Sequence, residues 1–191
     1  MLEITPKLFQ LLFQHSELTQ PISVLDFGCA SFDTVNFFNQ FHSKLYFADF
    51  NSDKQIFFDH KDLTDEELTA EYQKLMDFPS ETKFDILFFW DFFSLLDTRA
   101  MQAFNAALMP YVSEHAQAYG FGALSRKGNL EYLDYQITGY DQLRARSNQD
   151  QPAKLIAHGQ SSFDRYMPPF RVKKGILMNN GRLEVLLQRR E

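Results

Sequence analysis

Residues Phe84 to Trp90 read Phe-Asp-Ile-Leu-Phe-Phe-Trp, apolar at every position except Asp85. Such a run is the mark of a central strand covered on both faces, as strands are when helices lie above and below a parallel sheet. A chain built around it should therefore alternate strands and helices, and the remaining segments do. Ile22 to Leu25 is a short β-rich run that enters the turn Asp26-Phe27-Gly28. Asp33 is placed to cap a helix carrying Val35, Phe37, Phe38 and Phe41, and Lys44 to Asp49 reads as a second buried strand that ends on a carboxylate. A third short strand is expected at Gln55 to Phe58, with too few residues after Asp49 for a helix between the two.

Thr64-Asp65-Glu66-Glu67 has the capping-box pattern, so a helix follows with Leu68, Tyr72 and Leu75 on one face. Thr98 to about Tyr111 predicts another helix, and Phe121 to Leu124 a fifth strand. At the start, Thr5-Pro6 predicts the entry to an amphipathic first helix through Leu8, Leu11, Leu12 and His15, broken at Gln20-Pro21. Between Ser125 and Ala157 the periodicity fades into polar sequence, which reads as a mobile region; Ser161 or Ser162 can then cap a short helix. Phe170 to Met178 and Arg182 to Gln188 are two strands joined by Asn179-Asn180-Gly181, a strong hairpin signal. The pattern predicts a three-layer α/β sandwich, its sheet mostly parallel, with a C-terminal antiparallel hairpin.

The 191 residues suit one domain, 1–191, and its 21 phenylalanines require a core rich in aromatic rings. Cys29 is the single cysteine, which rules out an internal disulfide and fits a reducing, cytoplasmic setting. It reads first as a small buried residue rather than a nucleophile. Met1 to Gln10 lacks a basic, then apolar, leader pattern, and no apolar stretch approaches the roughly 20 residues that span a bilayer, so no membrane association is expected. The five histidines lie without ligand spacing, and no metal is expected. Residues 1–100 hold 7 Lys+Arg against 17 Asp+Glu, and residues 101–191 hold 12 against 8. That balance argues against general nucleic-acid binding. It leaves Arg165, Arg171, Lys173, Lys174 and Arg182 as either a local basic patch or a solvated rim.

Val24-Leu25-Asp26-Phe27-Gly28-Cys29-Ala30 resembles the first motif of the class I S-adenosylmethionine-dependent methyltransferases. Phe84 to Asp91 is similar to their fourth, and the closing helix and hairpin to their last strands. The resemblance runs from Thr5 to Arg189 and implies a Rossmann-like sheet that holds S-adenosylmethionine at a glycine turn, with a carboxylate at the end of the second strand. It implies that Asp26 and Gly28 face the methionine part, that Ala30 shares that loop, that Asp49 meets the ribose and that Phe50 lies on the adenine. Asp59 or Asp62 would meet the adenine amino group, and Asp91 would stand nearest the reactive methyl as the catalytic or orienting group. Phe89-Trp90-Asp91-Phe92 replaces the Asn-Pro-Pro-Tyr pattern of amino methylation, which points to a small-molecule acceptor. The chain departs from the family where three alternating glycines are usual, with Gly28, Ala30 and Phe32 in their place. Ala30 is tolerated at negative φ, and the Phe32 ring has either to turn into the core or to enter the cofactor's volume.

Asp26, Asp49 and Asp91 also have a plainer reading as turn-capping carboxylates at strand ends. Two functions follow. One is a methyltransferase-like protein with a degenerate cofactor loop, acting on a small molecule if active; the other is a non-catalytic module on the same scaffold whose partner is a protein.

Overall fold

The computed structural model describes residues 1–13, 20–48, 60–123, 130–147, 155–158, 161 and 165–190. Its strands are β1 (Leu2–Ile4), β2 (Ile22–Asp26), β3 (Ser43–Phe47), β4 (Phe84–Trp90), β5 (Val112–Ala123), β6 (Leu133–Gly139), β7 (Gln142–Ser147), β8 (Phe170–Leu177) and β9 (Arg182–Arg189). The helices are α1 (Phe32–Phe38), α2 (Asp65–Leu75) and α3 (Thr98–Leu108). A six-stranded sheet runs β3-β2-β4-β5-β9-β8. Its first four strands are parallel, and the terminal hairpin adds β9 and β8 antiparallel. The three-layer α/β sandwich with a closing hairpin is therefore present.

β4 lies inside the sheet and is buried on both faces, as its apolar run requires. Phe84, Leu87 and Phe89 pack with Leu68, Tyr72, Met101 and Phe104 of α2 and α3, whereas Ile86, Phe88 and Trp90 pack into the opposite core. Asp85, the one polar position, accepts the Ser23 amide at 2.9 Å. Local signals set the helix starts. In α2 the Thr64 hydroxyl accepts the Glu67 amide at 3.2 Å and the Glu67 carboxylate accepts the Thr64 amide at 2.7 Å, which completes the capping box. Asp97 caps α3 through the Ala100 amide at 2.8 Å.

The second outer layer differs from the expectation. Besides α1 it holds a small antiparallel sheet, β1-β7-β6, contributed by the two segments whose patterns were weakest. Leu2–Ile4 is a strand, and the expected first helix is, over its described part, a single 3-10 turn at Phe9–Leu12. The Lys7 and Leu8 amides do not rely on Thr5. They donate to the buried Glu184 carboxylate of β9 at 2.9 and 2.6 Å, and the same carboxylate accepts the Tyr119 hydroxyl at 2.8 Å. The stretch read as mobile contains the β6–β7 hairpin, with Leu133, Tyr135, Ile137, Leu143 and Ala145 buried in the core beneath α1. Ser31, not Asp33, caps α1, its hydroxyl accepting the Thr34 amide at 3.2 Å. The expected third strand at 55–58 lies outside the described residues, as does most of the helix expected after Ser161. Among the described residues no helix is long and apolar enough to cross a membrane.

Candidate functional site

In an open parallel sheet, ligands bind at the carboxyl ends of the strands where the chain's progress reverses. Here β3 lies on one side of β2 and β4 on the other, so the reversal falls between the ends of β2 and β4. Asp26 and Gly28 end the first of these strands and Trp90 and Asp91 the second.

Asp26 is 1% exposed. Its Oδ1 accepts the Gly28 amide at 2.7 Å and the Trp90 indole Nε1–H at 2.5 Å. Burial pushes the Asp26 carboxyl up to about 7, against the two hydrogen bonds, which hold it down. Trp90 has φ of 47°, the single positive value outside glycine among the described residues. For an ordinary side chain that conformation costs roughly 1–2 kcal/mol and has to be held by its surroundings. The holding contacts are clear. The indole is stacked between Phe88, at 5.2 Å and 15°, and Tyr135, at 5.1 Å and 11°, and meets the edge of Tyr119. The ring also closes over the glycine turn, because a Cβ on Gly28 would stand 2.9 Å from both Trp90 Cδ1 and Nε1.

Asp91 is fully buried. Its two oxygens accept from Arg182 Nε and Nη2, each at 3.2 Å, and Oδ2 also takes the Tyr135 hydroxyl at 3.0 Å and the Leu133 amide at 3.2 Å. Arg182 donates further to the Glu131 carbonyl. Burial raises the Asp91 carboxyl while the Arg182 guanidinium, the hydroxyl and the amide hold it down. The carboxylate thus joins β4 to β9 and to β6. Cys29 is half-buried, its thiol 3.7 Å from Asp134 Oδ1, and Asp134 also accepts from Arg146 at 3.3 Å.

These positions correspond to known proteins at the level of fold. No family model matches the chain, and no curated protein matches it in sequence. Among solved structures, an S-adenosylmethionine-dependent methyltransferase from Clostridium acetobutylicum superposes with a TM-score of 0.54 at 12% identity, over 95% of this chain and 90% of that one. The Burkholderia thailandensis 1,6-didemethyltoxoflavin-N1-methyltransferase gives 0.51 at 11% identity, over 95% and 77%. The fold is that of the class I methyltransferases. Within that methyltransferase fold the structure brings Asp26, Gly28 and Asp91 to the carboxyl ends of neighbouring strands. Ala30 is exposed and its φ is not positive, so the substitution for glycine carries no backbone penalty. Asp49, Phe50 and Asp59 lie outside the described residues. The expectation for Phe32 is corrected, because its ring enters neither core nor crevice and is 81% exposed on the first turn of α1.

The residues that dominate the site, Trp90, Tyr135 and Arg182, were not among the expected ones. Trp90 is the single tryptophan and ends the central strand, which was an available signal. Arg182 follows the Asn-Asn-Gly turn and read as a surface cation, and nothing local announces its partner 91 residues away. Among the described residues no group of three or more His, Cys, Asp or Glu is arranged to hold a metal.

Proposed function

We propose that this chain is a non-catalytic protein-interaction module on a methyltransferase scaffold and that S-adenosylmethionine does not fit its first-strand crevice. The observation that carries this reading is the Trp90 indole, which lies where a Cβ on Gly28 would point and consumes the acceptor of Asp26. One fold neighbour was crystallised with S-adenosylhomocysteine. To take the same ligand at its glycine turn, this chain would have to expel the indole. The Gly28 amide is already donated within the turn.

Expulsion would forfeit two stacked ring contacts and a buried hydrogen bond, a loss of the order of removing a buried tryptophan, roughly 3–5 kcal/mol. Relief of the positive φ returns about 1–2 kcal/mol of that. A net cost of roughly 2–4 kcal/mol weakens any ligand about 30- to 1000-fold. Asp91 is likewise committed, with both oxygens engaged by Arg182 inside the core, and no step of methyl transfer is assigned to it.

Calorimetric titration with S-adenosylhomocysteine tests the reading. The expected result is no saturable binding to the natural chain up to millimolar ligand and measurable binding to Trp90→Gly, which clears the crevice and accepts the positive φ. Micromolar binding to the natural chain would overturn it.

A further inference from the structure

The basic residues noted in the sequence separate in the fold. Arg182 is buried against Asp91, and Arg165 lies over the Tyr166 ring at 5.3 Å. Arg171, Lys173 and Lys174 are exposed together on β8, the outermost strand of the large sheet, and among the described residues none of the three forms an ion pair. β8 pairs with β9 on one side only, so its other edge offers backbone donors and acceptors over eight residues. A bulge between Val172 and Lys174 leaves the regular part of that edge at residues 174–177.

At that regular end the edge becomes apolar. Ile176 is 38% and Leu177 62% exposed, and beside them a cleft of about 310 Å³ opens between the hairpin tip and the N-terminal segment, lined in part by Ile4, Ile176, Leu177 and Met178. An edge with an apolar cleft at one end and three unpaired cations at the other selects its occupant by charge. A second copy of β8 laid antiparallel would set these cations against each other, and like charges across strands are destabilising. An acidic strand gains instead.

We propose that the β8 edge is a docking site for an extended acidic segment of a partner protein, which adds as a strand beside residues 171–177 and places an apolar side chain in the cleft. Strand geometry sets its pattern. Arg171 and Ile176 are five residues apart, about 17 Å along a strand, so the segment carries its acidic residues within about five positions of its apolar anchor. The net charge of −6 does not oppose this at physiological ionic strength, where fields from exposed charges fade over roughly 8 Å. The inference rests on the interaction-module reading and names its surface, but the two fail separately: cofactor titration probes the crevice and peptide binding probes the edge.

The probe is a display library of random twelve-residue peptides selected on the immobilised full chain. The expected result is a consensus of one apolar and two or more acidic residues within that spacing. The selected peptide should protect amides of residues 171–177 from hydrogen exchange, and its affinity should fall with added salt. The doubly substituted Lys173→Glu/Lys174→Glu chain, shown by circular dichroism to be folded, should bind it at least tenfold more weakly. A basic consensus, no consensus, equal binding to the charge-reversed chain or protection elsewhere would each overturn the proposal. So would concentration-dependent dimerisation that the charge reversal abolishes, because a second copy would then occupy the edge.

Discussion

Asp26 makes the stability of this protein depend on pH in an unusual direction. A carboxyl held at about 7 in the folded chain, against 3.8 when solvated, binds its proton more tightly folded than unfolded. Its contribution is therefore fully present below about pH 4 and is lost as pH rises to about 7, opposite to the usual acid-labile carboxylate. The interval from 3.8 to about 7 is roughly three pH units, and at about 1.4 kcal/mol for each the loss is about 4 kcal/mol. Asp26→Asn isolates this amount, because the amide keeps an oxygen for the Trp90 and Gly28 donors and cannot ionise within the crevice. Urea unfolding of both proteins from pH 4 to pH 8, followed by circular dichroism, should give matching stabilities at pH 4 and a natural chain weaker by about 4 kcal/mol at pH 8. The other titrating groups are common to both proteins and cancel in the difference. Trp90 fluorescence supplies a second reading, since the single indole donates to this carboxyl and should titrate near pH 7 in the natural chain alone. A difference in stability that stays constant within about 1 kcal/mol over the range would refute the reasoning, for the burial that raises the carboxyl would then be absent.

Gly28→Ala should cost roughly 1–3 kcal/mol by driving a methyl against the Trp90 ring, and a double-mutant cycle by urea unfolding should show that cost vanish in a Trp90→Ala background. Arg182→Met should cost about 3–5 kcal/mol by leaving Asp91 buried and unpaired, whereas the pair Arg182→Met with Asp91→Leu should recover most of the loss in thermal unfolding. Phe32→Ala should change stability by less than about 0.5 kcal/mol and leave the response to S-adenosylhomocysteine unaltered in calorimetry, because the ring is in solvent.

The large sheet was legible because its strands carry their instructions locally. The apolar run Phe84–Trp90 and the Asn-Asn-Gly turn, where Gly181 has φ of 84°, needed no distant partner to be read. The small sheet was not. The alternation of Leu133, Tyr135 and Ile137, then Leu143 and Ala145, around Gly139-Tyr140-Asp141 was present, but polar neighbours diluted it and β1 is three residues long. The site shows the same division. Asp26, Gly28 and Asp91 were found because strand-end carboxylates and a glycine turn are short-range features, and their environment was missed because it comes from β6 and β9. A rotamer and a positive φ at Trp90 decide whether the crevice is open, and neither is written in the residue's neighbours.

β9 lies between β5 and β8, so it supplies the hydrogen-bonding neighbour of β5 from far along the chain. Tyr119 and Glu184, which meet across these strands, are 65 residues apart, and Glu184 also waits for Leu8, 176 residues earlier. Closing loops of that size is entropically costly before any contact repays it, which slows folding. Until β9 arrives, β5 is itself the rim of the parallel sheet, and its residues 118–123, all buried in the finished fold, present an open and largely apolar ladder. The hazard to this protein during its biogenesis is thus a transient one, confined to the interval in which residues 118–123 stand without their partner and a neighbouring chain can pair with them first.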